Sequence, residues 1–202
     1  EKPEFTHDPH VWTDVKQADV QVFNIGTALE KTQSDNPAAA DSIKAAVEKY
    51  EAQLTLLDQW VRDSISSVPE ENRVLFTSHD AFGYFANAYD VKFIGAALSD
   101  FNHQQDATAE HINKAAEEVK ASGAKALFAE NSNNSKSIEA IARAAGVEAI
   151  TNDDALYGDS LGPAGSAGET YIGSIIHNVT TLVTAWGGKP ASLPQEISEY
   201  AK

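Results

Sequence analysis

From Arg73 onward the sequence alternates four times between a short apolar run and a longer amphipathic segment, and this rhythm restricts the fold more than any other feature. Val74–Thr77, Lys92–Ala96, Ala126–Ala129 and Val147–Ile150 read as strands, short apolar runs bounded by polar or turn-forming residues. Ala81–Tyr89, Thr108–Ser122, Ser135–Ala145 and Glu169–Trp186 read as the helices that follow them. Such a repeat predicts an α/β fold: a four-stranded parallel sheet with helices on both faces, wound right-handed.

The first part of the chain has a different character. Residues 1–13 are expected to be extended, because Pro3 and Pro9 lack an N–H and push their preceding residues away from helix. Asp14 to Lys31 then reads as a helix, with Ala18, Val22, Ile25 and Leu29 recurring at steps of three and four. Ser34-Asp35-Asn36-Pro37 breaks it, with Asn36 suited to cap the next helix and Pro37 to open it. That helix, about Ala38 to Ser66, carries Ile43, Val47, Tyr50, Leu54, Leu57, Val61 and Ile65 on one stripe. At 1.5 Å per residue it extends roughly 40 Å, enough either to bridge two lobes or to line one domain. The tail from Gly187 carries Pro190 and Pro194 and has room for a short final helical turn.

Composition removes several function classes. A net charge of −15 argues against nucleic acid as a partner, since phosphate backbones attract basic surfaces. With no cysteine, neither a disulfide frame nor a thiolate metal site is open to the chain. No run approaches the roughly 18 apolar residues of a membrane-spanning helix. The start at Glu1, without a signal peptide and just ahead of a motif, is expected of a processed or excised chain. Gly162-Pro163-Ala164-Gly165-Ser166-Ala167-Gly168 lacks the Gly-Lys-Ser/Thr ending of a phosphate loop and reads as a connector. No Gly-x-Ser-x-Gly elbow accompanies Ser78, His79 and Asp80.

What remains is imidazole and carboxylate chemistry. His79 falls where the first strand gives way to a helix, at the sheet edge where α/β proteins bind ligands. Asp80 beside it is placed to take the second imidazole N–H; the plainer alternative is a helix cap formed by Ser78 or Asp80. His7-Asp8-Pro9-His10 offers two more imidazoles, with Val11-Trp12 giving His10 an apolar flank. His7 itself reads better as an ordinary loop residue. After the fourth strand Asp153, Asp154 and Asp159 follow at the same edge; Asp153 and Asp154 read better as an acidic solvated loop, and Asp159 stands out because Leu161, Gly162 and Pro163 form a tight turn beside it. Glu130 ends the third strand as a ligand, a supporting acceptor or a cap. His103, His111 and His177 read as structural or exposed.

Asp8-Pro9-His10-Val11-Trp12, Thr77-Ser78-His79-Asp80-Ala81-Phe82-Gly83-Tyr84-Phe85 and Asp159-Ser160-Leu161-Gly162-Pro163 together resemble the zinc/manganese solute-binding proteins of bacterial ABC importers, the TroA-like family. Thr170-Tyr171 and Asn178 in the last helix add to the resemblance, which runs from about residue 8 to residue 187. It implies two α/β lobes joined by one long helix, with a divalent cation held between them. It implies His10, His79 and Asp159 as metal ligands; Asp80 and Glu130, from their positions in the sequence, are expected behind them. The family's first histidine ligand, in the amino-terminal lobe, has no counterpart. On this view residues 1–36 are a remnant of that lobe, 37–67 the linking helix and 68–202 the carboxyl-terminal lobe.

The same resemblance implies a non-enzymatic receptor, a membrane-anchored lipoprotein in the periplasm or on the cell surface, that delivers its ion to an ABC permease. Two imidazoles and one carboxylate suit Zn²⁺, whereas Mn²⁺ favours more oxygen; manganese-binding relatives commonly carry glutamate at the position of His79. A dimer through the exposed linking helix is a further expectation. Two other readings use the same residues. One is a zinc hydrolase, three ligands plus water with Glu130 or Asp80 as base; the other is an adhesin whose metal is only structural.

Overall fold

The computed structural model describes residues 7–97 and 108–202, so His103 lies outside the described residues. A single 3₁₀ turn, Val11–Thr13, leads into α1 (Val15–Thr32), whose first turn is capped by the Asp14 carboxylate accepting from the Lys16 N–H. The next helix, α2 (Pro37–Ser66), opens as its sequence predicts: Pro37 occupies the first turn and Asn36 accepts from the Ala39 N–H. There follow β1 (Val74–Thr77), α3 (Gly83–Ala88), β2 (Lys92–Ala96), α4 (Ala109–Ser122), β3 (Ala126–Phe128), α5 (Lys136–Ala145), β4 (Glu148–Ile150) and α6 (Tyr171–Ala185). Gly123 and Gly146 end α4 and α5 in the left-handed conformation that glycine adopts without strain.

The strands form one parallel sheet in the order β2-β1-β3-β4. The chain therefore moves outward from β1 to β2, then crosses back over β1 to place β3 on its other side. Between β1 and β3 the winding reverses, and an α/β sheet opens its ligand crevice at the carboxyl ends of two such strands.

Alternate residues serve opposite faces. Leu75, Ala126 and Phe128 face a core built from α2, α3 and α6, whereas Val74, Phe76, Leu127 and Ala129 face one built from α4 and α5. Burial on both faces explains why these strands read as continuous apolar runs. Trp186 anchors the first core; it is fully buried and its indole N–H donates to the Val74 carbonyl at 3.0 Å.

The segment after β1 departs from expectation. Helix starts at Gly83 rather than Ala81, with Phe82 at its cap position and no side chain closing it, so neither Ser78 nor Asp80 is the cap. The reason is local: the His79 carbonyl accepts from the Thr77 hydroxyl at 2.7 Å and from the Ala81 N–H at 3.0 Å, which bends the backbone before a helix can begin. Phe82, Phe85 and Tyr89 nevertheless share one core, as their spacing requires.

Only the second half of α2 is buried. From Gln53 to Ile65 it packs into the first core, while the turns before it are mostly exposed. The tail runs back along that buried half. Ser67 and Ser64 hydroxyls accept the N–H groups of Lys189 and Ala191, both at 3.0 Å. The Trp60 indole donates to the Ala191 carbonyl at 2.9 Å and the Gln53 amide to the Glu196 carbonyl at 3.1 Å. Positions 53, 60, 64 and 67 share one helix face, so the helix presents a ladder of polar groups to a strap that ends in the turn Gln195–Tyr200.

Candidate metal centre

Two strand ends supply the floor of the site. His79 lies two residues beyond β1 and is fully buried. Its backbone N–H donates to Glu130 Oε1 at 2.9 Å, and the Glu130 N–H donates to the Ser78 hydroxyl at 3.1 Å. Glu130 lies two residues beyond β3, where a parallel bridge to Leu156 prolongs the pairing. The two central strands are thus tied together just past their carboxyl ends.

His10 enters from the chain's start. It is buried, and Asp8 Oδ1 takes both its backbone N–H, at 2.9 Å, and its ring Nδ1, at 2.6 Å. An Asp side chain bonding the N–H two residues on is a common turn device, and Pro9 between them fixes the bend. With Nδ1 engaged, Nε2 is the atom aimed into the crevice.

Asp159 comes from the loop after β4. The Asn178 side chain on α6 grips Tyr157 at both backbone groups, its oxygen accepting from the N–H and its amide donating to the carbonyl, each at 2.8 Å. The next residue, Gly158, accepts the Trp12 indole N–H at 2.9 Å. Asp159 then lies between the two histidines: Oδ1 is 3.2 Å from His10 Nε2 and Oδ2 is 3.0 Å from His79 Nε2. The two imidazole centroids are 5.1 Å apart. Donor atoms from His10, His79 and Asp159 all fall within 4.8 Å of one another, and among the described residues no other such group of His and carboxylate side chains forms.

The donor set fits a divalent transition metal. Two ligands each about 2.1 Å from a tetrahedral ion stand about 3.4 Å apart, close to the separations seen here. Asp159 keeps a quarter of its side chain exposed, which leaves the site open to solvent on that side. Glu130 lies beneath, with Oε2 3.5 Å from His79 Nε2. Burial above all pushes its carboxyl up to about 8, and the charges of Asp159 and Asp80 push the same way, against hydrogen bonds from the His79 and Ser78 backbone. Asp80 is also raised, by burial first and then by Asp8, while His10 pulls it down. Asp80 thus interacts electrostatically with Asp8 and His10 as well as with Glu130.

The other sequence candidates lie elsewhere. Asp153 and Asp154 are exposed in the turn Asn152–Asp154. His111 lies in the first turn of α4, and His177 on α6 brings Nε2 to 3.1 Å from the Ala155 carbonyl. The glycine-rich connector closes on itself through the Gly162 N–H and the Gly168 carbonyl at 2.8 Å. Three contributors had no role assigned from sequence: Asp8, Trp12 as a donor to Gly158, and Ser78 as an acceptor for Glu130. Only the first had a local signal, the Asp-Pro-His turn pattern.

Residues 1–185 match the family model described as ZnuA, zinc-uptake complex component A, periplasmic. The chain is 35% identical over 187 residues to the zinc-binding protein TroA of Treponema pallidum, and 33% identical over 182 residues to the manganese-binding lipoprotein MntA of Bacillus subtilis. These alignments cover 92% and 89% of this chain but 58% of each relative, so the chain spans under two thirds of their length. The solved structure of the T. pallidum periplasmic zinc-binding protein TroA superposes with a TM-score of 0.78 at 33% identity, over 89% of this chain and 64% of that one. Fold similarity and family model coincide: the chain belongs to the family of periplasmic zinc-uptake component A proteins.

Proposed function

We propose that this chain captures a divalent metal ion outside the cytoplasmic membrane, Zn²⁺ in preference to Mn²⁺, and delivers it to the permease of an ABC importer. The observation that carries the proposal is the convergence of His10, His79 and Asp159 within 4.8 Å from three distant parts of the sequence. In this reading those three are the ligands and leave room for a further donor, with Glu130 and Asp80 as the supporting carboxylates. Two imidazoles beside one carboxylate favour Zn²⁺, and the relatives, named for zinc in one case and manganese in the other, support both ions. Words such as periplasmic and lipoprotein in those names support an extracytoplasmic location. Residues 68–202 act as the carboxyl-terminal lobe, 37–67 as the link and 1–36 as the part belonging to the opposite lobe. The relatives compared are named for metal binding and not for hydrolysis, so a receptor is favoured over a zinc hydrolase. Self-association through the linking helix α2, whose first half is mostly exposed, together with α1, which exposes Val20, Phe23, Ile25 and Leu29, belongs to the same reading; a monomer in sedimentation at high concentration removes it.

The test is competition against a chelator with Zn²⁺ and Mn²⁺. Binding by the unaltered chain, weakened at least about 100-fold in His79→Ala and in Asp159→Ala, is the expected result. Affinity that persists in both variants overturns the assignment.

A further inference from the structure

The Trp12 side chain touches both outer segments of the metal centre without offering a metal ligand. Its indole N–H donates to the carbonyl of Gly158, 146 residues away in sequence and immediately before Asp159. Its ring stands edge-on to His10, two residues earlier, with centroids 5.4 Å apart at 73°. Its own carbonyl accepts the Tyr171 hydroxyl at 2.8 Å, which ties the turn Val11–Thr13 to the first residue of α6. The same helix holds Tyr157 through Asn178. A closed circuit results: His10 to Trp12 along the chain, Trp12 to Gly158 by hydrogen bond, Gly158 to Asp159 along the chain, and Asp159 back to His10 at 3.2 Å.

We infer that Trp12 is a positioning residue that sets the separation of His10 and Asp159 and thereby tilts the site toward Zn²⁺ over Mn²⁺. The inference rests on the proposed metal-binding reading. The bond from Trp12 uses neither the imidazole nor the carboxylate, so it holds the two segments together whichever ion arrives. A short, fixed spacing suits an ion that accepts four close ligands. An ion that prefers six ligands, more of them oxygen, gains when the carboxylate is free to turn and present both oxygens. Releasing the Gly158 carbonyl grants Asp159 that freedom, so the two affinities respond unequally. A general loss of packing lowers both alike.

The experiment compares the unaltered chain, Trp12→Phe, and a variant carrying β-(3-benzothienyl)alanine at position 12, which keeps the bicyclic shape and lacks the N–H. Zn²⁺ and Mn²⁺ affinities are measured by chelator competition, and the metal-free melting temperature reports folding. The expected result is a Zn²⁺ affinity lowered about tenfold and a Mn²⁺ affinity lowered less than about threefold, so their ratio falls. Should Trp12→Phe fail to fold, the benzothienyl variant decides alone. An unchanged ratio in a folded variant overturns the inference and leaves the metal site standing. Failure of the unaltered chain to bind either ion removes the metal site and the inference with it.

Discussion

Asp8 and His10 form a two-point contact in which one carboxylate oxygen accepts from the histidine's backbone at 2.9 Å and stands 2.6 Å from its Nδ1. The contact selects the ring face and leaves Nε2 for the crevice. Removing such an orienting carboxylate typically costs about 10- to 100-fold in metal affinity. Asp8→Ala is therefore expected to weaken Zn²⁺ binding by that amount with little change in fold, as read by chelator competition beside circular dichroism. Affinity equal to the unaltered chain's contradicts the orienting role.

Gly158 is needed for space. A Cβ there would lie 2.5 Å from Glu130 Oε2 and 3.5 Å from the Phe82 ring. Any retreat of Glu130 strains the bond its other oxygen accepts from the buried His79 N–H. Gly158→Ala should destabilise the protein by about 1–3 kcal/mol through overpacking, measured as a lower urea midpoint at unchanged slope. A midpoint at or above the original would show that the carboxylate can shift after all.

Tyr89 joins three elements. Its hydroxyl accepts the Val15 N–H at 3.3 Å and donates to Asp58 at 3.0 Å, while Arg62 holds both oxygens of Asp58 and lies 5.0 Å over the Tyr89 ring. Tyr89→Phe should cost about 1–2 kcal/mol, because the Asp58 carboxylate and the Val15 N–H each lose a partner. Thermal unfolding of the variant at neutral pH checks this; an unchanged melting temperature counts against it.

The buried phenols also set an alkaline limit. Burial chiefly, then the Asp58 charge, raises the Tyr89 pKa, and burial chiefly raises that of Tyr171. A folded-state pKa above the unfolded value of about 10 gives stability that is complete below pH 10 and declines above it. Melting temperature should therefore drop as pH rises past about 10, and less steeply in Tyr89→Phe/Tyr171→Phe. Equal slopes in the two proteins would assign the loss to other groups.

The Ser64 hydroxyl is fully buried and accepts the Ala191 N–H. Ser64→Ala should cost about 1 kcal/mol, the value of one such bond, and calorimetric melting reads it. A neutral result would mean the strap is held by its other rungs alone.

How far the sequence reaches can be judged residue by residue. β1 and β2 begin and end where expected, because apolar runs flanked by Arg73 and Ser78, or by a turn, leave little choice. β3 stops at Phe128 and β4 starts at Glu148, one residue inside the expected spans, as pairing rather than hydropathy decides ends. The late start of α3 depends on the His79 carbonyl capturing two nearby donors, which no periodicity encodes. His79 and Glu130 are legible as candidates because each follows a strand, Asp159 because of the turn beside it and His10 because of its motif; that His10, His79 and Asp159 converge is visible only in the fold. The bond from Trp12 to Gly158 was out of reach, since nothing local in either segment announces a contact across 146 residues. Glu130's raised pKa was equally hidden, because it follows chiefly from how deeply the fold buries the side chain.

One helix, α2, is gripped along its second half and bare along most of its first. Its amides should then record two regimes of deuterium uptake within a single unbroken element: slow, near-global exchange past Gln53, and faster sub-global opening before it, shared with the α1 turns that lean on it. The polypeptide would carry a built-in gradient of rigidity, firm where α2 enters the first core and yielding toward Pro37.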